Sequence, residues 1–266
     1  MGLAALSCFS EAADASAWPR EKGSIFITSG SDIFRAVGDF TFDPPPLEDS
    51  TEDVFQRIQT NSYIEYGLTD KWTVSLKGSY GFFTVSSPNA VVTSDGLTEI
   101  EGFIQRQVWR SKKSVLSLGV GAGRINTLGA EGVLGFQSDG IDTELRALYG
   151  RTLTQTPFEI FTSAELAYRR RFGIAADQVR ADAKIGFKPH ERLLVLVDTF
   201  SLVSLRNNGI AENGAVGADF DVVKIEPAVA IRVYKNLRFH GGVNYEIANR
   251  GFSRGRTFFF NLWSEF

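Results

Sequence analysis

Apolar and polar residues alternate with a period of two along most of this chain, and the i, i+3, i+4 spacing of an amphipathic helix is nearly absent. Between Lys71 and Phe83, Trp72, Val74, Leu76, Gly78, Tyr80 and Phe82 share one face; Thr73, Ser75, Lys77, Ser79 and Gly81 share the other. Over 141–149, Ile141, Thr143, Leu145, Ala147 and Tyr149 stand opposite Asp142, Glu144, Arg146 and Leu148. Over 158–169, Phe158, Ile160, Thr162, Ala164, Leu166 and Tyr168 alternate with Glu159, Ser163, Glu165 and Arg169. Val179, Ala181, Ala183, Ile185 and Phe187 alternate in turn with Arg180, Asp182, Lys184 and Gly186. Successive residues of a strand point to opposite faces, so this period predicts β-structure. It predicts twelve strands: 23–34, 53–66, 72–83, 97–109, 114–123, 139–152, 158–170, 178–187, 192–205, 216–233, 237–247 and 256–266.

A half-buried sheet of a water-soluble protein alternates too. Two further features separate the cases. The segments run to about 10–14 residues, against a usual strand length of about 5 or 6, and a tilted strand crossing a bilayer needs roughly 9–11. The connections also differ by end. Those after even-numbered strands are tight, as at Gly67–Lys71, Arg110–Lys113, Leu153–Pro157, Lys188–Glu191 and Tyr234–Asn236. Those after odd-numbered strands are generally longer: Arg35–Glu52, Thr84–Gly96, Arg124–Ser138, Arg171–Asp177, Arg206–Ala215 and Ala248–Gly255. An even count of antiparallel strands with short turns at one end and longer loops at the other is the pattern of outer-membrane barrels. The expected fold is therefore all-β, a transmembrane antiparallel up-and-down barrel of about twelve strands.

The two chain ends fit that expectation. Phe258, Phe260, Leu262, Ser264 and Phe266 share one face of the last segment, and the sequence stops on the aromatic. In this the chain resembles bacterial outer-membrane β-barrels, whose assembly machinery reads a terminal strand of alternating apolar residues ending in Phe. The resemblance implies that this machinery is a partner through Phe266. At the other end, Gly2–Phe9 is apolar, and Ala15-Ser16-Ala17 is a small-x-small site before Trp18-Pro19, as in a secretory signal peptide. Residues 1–17 are expected to be a leader, without the usual positive start, and 18–266 the barrel, placed in the outer membrane of a Gram-negative bacterium.

A narrower likeness lies in Tyr63-Ile64-Glu65-Tyr66-Gly67-Leu68-Thr69-Asp70-Lys71-Trp72. This stretch resembles the "EYGLTDR" hairpin of the outer-membrane family labelled as a MetA-pathway, phenol-degradation type transporter. Trp18-Pro19 and Lys22-Gly23 resemble the start of a related biofilm- or polysaccharide-associated group. These likenesses imply a barrel and a transport role, and they carry over no site residue.

Composition narrows the alternatives. The 266 residues are 43% hydrophobic and 22% charged, with a net charge of −3, which gives no basic footprint for nucleic acid. No apolar run reaches the roughly 18 residues of a membrane-spanning helix. The single cysteine, Cys8, falls inside the expected leader, so no disulfide is available to the barrel.

If the apolar face meets lipid, the charged face meets the lumen. That places Glu65, Lys77, Glu99, Glu101, Asp142, Glu144, Arg146, Glu165, Arg169, Arg180, Asp182, Lys184, Lys224, Glu226, Arg232, Arg238 and Glu246 inside. Glu144, Arg146, Glu165, Arg180, Asp182, Lys184, Arg232 and Arg238 are the candidate residues of a solute path. A charge away from water needs water or an opposite charge, so a hydrated, solute-selecting lumen and a closed, salt-bridged one are both open. Aromatics near strand ends (Tyr66, Trp72, Tyr80, Phe82, Trp109, Tyr149, Tyr168, Phe187, Tyr234 and Trp263) suit interfacial girdles. By parity with Ile104 and Val108, Arg106 falls on the lipid side near the inner rim, where it can snorkel unless a bulge resets the phase. Leu193–Val197 is apolar on both faces, which predicts a greasy or plugged stretch of lumen.

The remaining motifs point away from catalysis. Gly119-Val120-Gly121-Ala122-Gly123 lacks the Gly-x-Gly-x-x-Gly spacing and no helix follows, so its alternate glycines predict a bend or close approach in the lumen. His190 sits in a tight turn, and His240, expected in the lumen, has no serine placed to form a triad with it. No carboxylate–histidine cluster has metal-site spacing, and neither an enzyme nor a cofactor is expected. Tyr168-Arg169-Arg170-Arg171 is a candidate contact for lipopolysaccharide phosphates, with outer-membrane lipid the other surface partner. The expected function is passive passage of small, organic solutes; the competing one is a non-conducting barrel for adhesion, biofilm or surface-polymer export.

Overall fold

The computed structural model describes residues 17–37, 54–88, 90–125, 141–172, 176–206, 220–250 and 255–266. Its strands are β1 (Ile25–Val37), β2 (Val54–Thr69), β3 (Trp72–Ser87), β4 (Ala90–Arg110), β5 (Ser114–Ile125) and β6 (Asp142–Thr154). They continue as β7 (Glu159–Arg170), β8 (Gln178–His190), β9 (Leu193–Ser204), β10 (Asp221–Tyr234), β11 (Leu237–Arg250) and β12 (Gly255–Glu265). Each strand pairs antiparallel with its sequence neighbours, and β1 pairs with β12 from Phe26↔Glu265 to Ala36↔Gly255, closing the sheet. Closure matters physically, because an unpaired strand edge has no hydrogen-bond partner in hydrocarbon.

The two faces sort as the alternation predicts. Leu76, Phe82, Ile100, Val120, Leu145, Leu166, Ile185, Ile231, Phe258 and Phe260 are exposed on the outside. Glu65, Glu101, Glu144, Arg146, Glu165 and Arg169 are buried on the inside. A water-soluble sandwich has the reverse arrangement, with oil at its centre. A closed sheet with an apolar outside and a charged inside is a β-barrel of the membrane-spanning type.

Three sequence expectations need adjustment. The segment Thr84–Gly96, expected as a loop, is mostly strand: β3 and β4 pair as far as Ser87↔Ala90. The β-branched Val85, Val91, Val92 and Thr93 extend the hairpin, while Ser94-Asp95-Gly96 and a register shift between Ser79 and Tyr80 hide its phase in the sequence. Trp263, expected in a girdle, is buried inside at 4% exposure because its neighbour Leu262 faces lipid. Of the three arginines at the end of β7 and just beyond it, Arg170 alone faces outward, pairing with Asp177 at 2.9 Å; Arg169 is buried and Arg171 half-buried, each in other ion pairs. The leader lies outside the described residues except for Ala17. Arg106, by contrast, keeps strict parity: it is exposed, with its guanidinium 5.3 Å from the Trp72 ring.

Candidate functional site: a charged lumen and an inserted segment

The lumen wall begins with the inward positions of β4–β8. Lateral pairing sets Glu144 beside Arg169 and Glu165 beside Asp182, so charges on adjacent strands lie side by side. The guanidinium of Arg169 reaches Glu101 at 2.7 Å and Glu144 at 2.9 Å. That of Arg180 meets Glu165, Glu144 at 3.4 Å and Asp182 at 3.1 Å. Arg146 lies 3.7 Å from Glu165 and packs over Phe103, 3.6 Å from the ring centroid. Three arginines thus share four carboxylates along one wall, and each buried charge has opposite charge within reach. Without such pairing, burial in low dielectric would be prohibitive.

Close approach at β5 makes the wall possible. A Cβ on Gly121 would fall 1.9 Å from the Phe103 ring, and one on Gly119 3.1 Å from the Arg146 side chain. The alternate glycines are therefore the seat for the side chains of β4 and β6. Further round, Lys184 pairs with Asp198 at 3.2 Å, Lys224 with Glu246 at 3.6 Å, and Arg57 with Asp32 at 3.0 Å. Between these walls remains a cavity of about 210 Å3, bounded by Glu165, Asp182, Lys184, Asp198, Lys224 and Glu226.

Towards the tight-turn end the lumen changes character. Phe26, Phe161, Leu194, Leu196, Ala228, Ala230 and Trp263 form a buried apolar cluster, the greasy stretch expected from Leu193–Val197. Val115 and Leu148 form a second on the opposite wall. The segment preceding β1 enters here. Ala17 accepts a 2.6 Å hydrogen bond from Ser117 Oγ, and Trp18 packs against both clusters, meeting Phe161 edge-on at 6.3 Å. Gly150 leaves the space for that indole, since a Cβ there would fall 2.5 Å from it. Arg20 anchors the segment by ion pairs to Glu65 and Glu265, and its backbone N–H donates to Thr73 Oγ1 at 2.9 Å. Burial works against the Arg20 charge, but Glu65 and then Glu265 outweigh it and raise the guanidinium pKa above its ordinary value.

Of the eight solute-path candidates, Glu144, Arg146, Glu165, Arg180 and Asp182 meet in the single network, and Lys184, two residues along β8 from Asp182, pairs with Asp198. Arg232 and Arg238 stand apart, lining a smaller cavity of about 120 Å3 at the tight-turn rim. Arg169 and Glu101 prove as central as the chosen candidates, and their inward parity was visible. Asp198 was missed because apolar residues surround it on both faces of β9. The inserted residues Trp18 and Arg20 carry no periodicity to read. His240 lies inside, its ring centroid 4.1 Å from that of Trp263. Among the described residues, no cluster of His, Cys, Asp and Glu has the makings of a metal site.

No known family profile matches the sequence, and neither does any curated protein. Solved structures do resemble the fold. An outer membrane channel of the COG4313 group from Pseudomonas putida F1 superposes with a TM-score of 0.64 at 12% identity, covering 96% of this chain and 100% of that one. The NanC porin follows at 0.58 and 8% identity, covering 89% and 98%. The KdgM porin, solved in complex with disordered oligogalacturonate, gives 0.53 at 6% identity over 90% and 99%. The fold they share with this chain is the twelve-stranded barrel of outer-membrane channels and porins.

Proposed function

We propose that this protein is an outer-membrane channel for passive passage of small organic solutes. The observation that carries the reading is the cavity of about 210 Å3 left among the charged side chains of β7, β8, β9 and β10. A purely structural barrel would gain from filling that space with packed side chains. The solute path runs past Glu144, Arg146, Glu165, Arg180, Asp182 and Lys184, and leaves near Arg232 and Arg238. Short turns face the periplasm in such barrels, so Trp18 stands across the periplasmic side of the path as its constriction. The residues ahead of the inserted Ala17–Arg20 segment serve as the export leader, Phe266 is the handle for the assembly machinery, and Arg170 is the residue of its run left to contact lipopolysaccharide phosphate.

The test is conductance in planar bilayers with solute uptake into liposomes. The intact protein is expected to give small unitary currents, and Trp18→Ala to raise them several-fold by removing the indole that bridges the two apolar clusters. Silence in both proteins would favour the second reading, a non-conducting barrel for adhesion or surface-polymer export. The paired lumen charges and the inserted segment are the observations on its side.

A further inference from the structure

We propose that the outer face of the tight-turn rim, from β3 to β6, is a binding site for the headgroup of an anionic phospholipid in the periplasmic leaflet. Residues 69–75, 105–116 and 149–158 build this sector. They carry Lys71, Arg106, Arg110, Lys112, Lys113 and Arg151, all exposed, against a single carboxylate, Asp70. None of the six cations makes an ion pair among the described residues. Main-chain bonds gather them into two pairs. The Gln107 N–H donates to the Lys71 carbonyl at 2.9 Å, which sets Lys71 next to Arg106. The Thr152 N–H donates to the Lys113 carbonyl at 2.8 Å, which sets Lys113 next to Arg151. Further round the rim the signs are mixed, with Lys188 3.8 Å from Glu159 and Glu191 adjacent to Arg192.

Position selects lipid over a soluble partner. Arg106 pairs laterally with the outward-facing Trp72 and Leu118, and Arg151 follows Tyr149 by two residues on the same outer face of β6. Between the two cationic pairs, Val108, Trp109 and Tyr149 are exposed and give acyl chains an apolar floor. Trp and Tyr settle at headgroup depth, where a lipid phosphate supplies the counter-charge that Arg106 and Arg151 do not find in the protein. Basic clusters at a membrane surface draw in anionic lipid by the same attraction. Short turns face the periplasm in such barrels, so the leaflet met here is the phospholipid one. The inference needs the barrel in its membrane and stands apart from the channel reading.

The site carries its own reporters. Trp72 and Trp109 are 36% and 49% exposed on the lipid face, whereas Trp18 and Trp263 pack inside the lumen. The experiment places the full-length barrel in vesicles of phosphatidylcholine and phosphatidylglycerol, with one lipid at a time carrying brominated chains, and reads the quenching of tryptophan fluorescence. Brominated phosphatidylglycerol is expected to quench as though enriched about fivefold beside the indoles, the effect of one well-placed cation at a membrane surface. Arg106→Gln with Arg151→Gln should abolish that enrichment. Lys112→Gln with Lys113→Gln, in an exposed turn, should lower it and serves should the first variant fail to fold; normal quenching by brominated phosphatidylcholine shows that a variant has inserted. Arg192→Gln with Lys235→Gln, the same charge change on the far side of the rim, should leave the enrichment unchanged. Equal quenching by the two lipids, enrichment that survives in an inserted site variant, or an equal loss in the far-side variant would overturn the proposal. So would displacement of the brominated lipid by soluble glycerol phosphate, which would make the ligand a free phosphate.

Discussion

At the scale of single residues, the faces of this barrel obey different solvents. Leu76 lies on β3 midway between the exposed aromatics Trp72 and Tyr80, and is itself 51% exposed to what is lipid in the membrane. Replacing it with arginine puts a charge near the bilayer midplane, at a cost of about 2–4 kcal/mol. Equilibrium unfolding in urea from phospholipid vesicles would measure that loss. Gly121 answers to the opposite constraint, because the Phe103 ring occupies the space of its missing side chain. Gly121→Ala should destabilise by about 1–3 kcal/mol through overpacking. Adding Phe103→Ala should recover part of that loss in a double-mutant cycle. Additive effects in the cycle would show that the two positions do not touch.

At the scale of elements, the decisive groupings are walls of neighbouring strands. Arg169 on β7 holds Glu101 on β4 and Glu144 on β6, all three with side chains no more than 8% exposed. Arg169→Gln leaves both carboxylates short of a cation, and breaking such a buried arrangement costs about 3 kcal/mol or more. Glu101→Gln in the same chain removes one of the stranded charges and should restore part of the stability. Unfolding midpoints of the single and double variants would test this, and an unchanged midpoint for Arg169→Gln would mean water already screens the network. Elements also mark how far the sequence could be read. The inward places of Glu144, Arg146, Glu165 and Arg180 followed from period-two alternation, which fixes a face without knowledge of any neighbour. The extension of β4 did not, because its outer half pairs only with β3 and a register shift breaks the phase beside Tyr80. The Ala17–Arg20 segment was equally hidden. Its position depends on Ser117, Gly150, Glu65 and Glu265, contacts distant in sequence that alternation cannot report.

At the scale of the whole molecule, closure rests on the pairing of β1 with β12. The two strands lie at opposite ends of the chain and meet in one seam. Gly30 sits at that seam, where a Cβ would fall 2.0 Å from the backbone oxygen of Phe260 and 2.2 Å from Asn261 Oδ1. A backbone atom in register cannot step aside as a flexible side chain can, so Gly30→Val is expected to block closure rather than merely weaken packing. Ser29→Val is the matched control. Ser29 is exposed on the outside of the same strand, opposite Leu262, where a β-branched apolar residue suits both strand and lipid. Refolding into detergent micelles, followed by the gel shift between heated and unheated samples, reads closure directly. Ser29→Val should give the compact, heat-sensitive band in normal yield, while Gly30→Val should give little or none of it. A normal yield from Gly30→Val would mean that the seam tolerates a parted pair of strands, and that the barrel is held shut by its other eleven pairings and the segment that Arg20 anchors to Glu65 and Glu265.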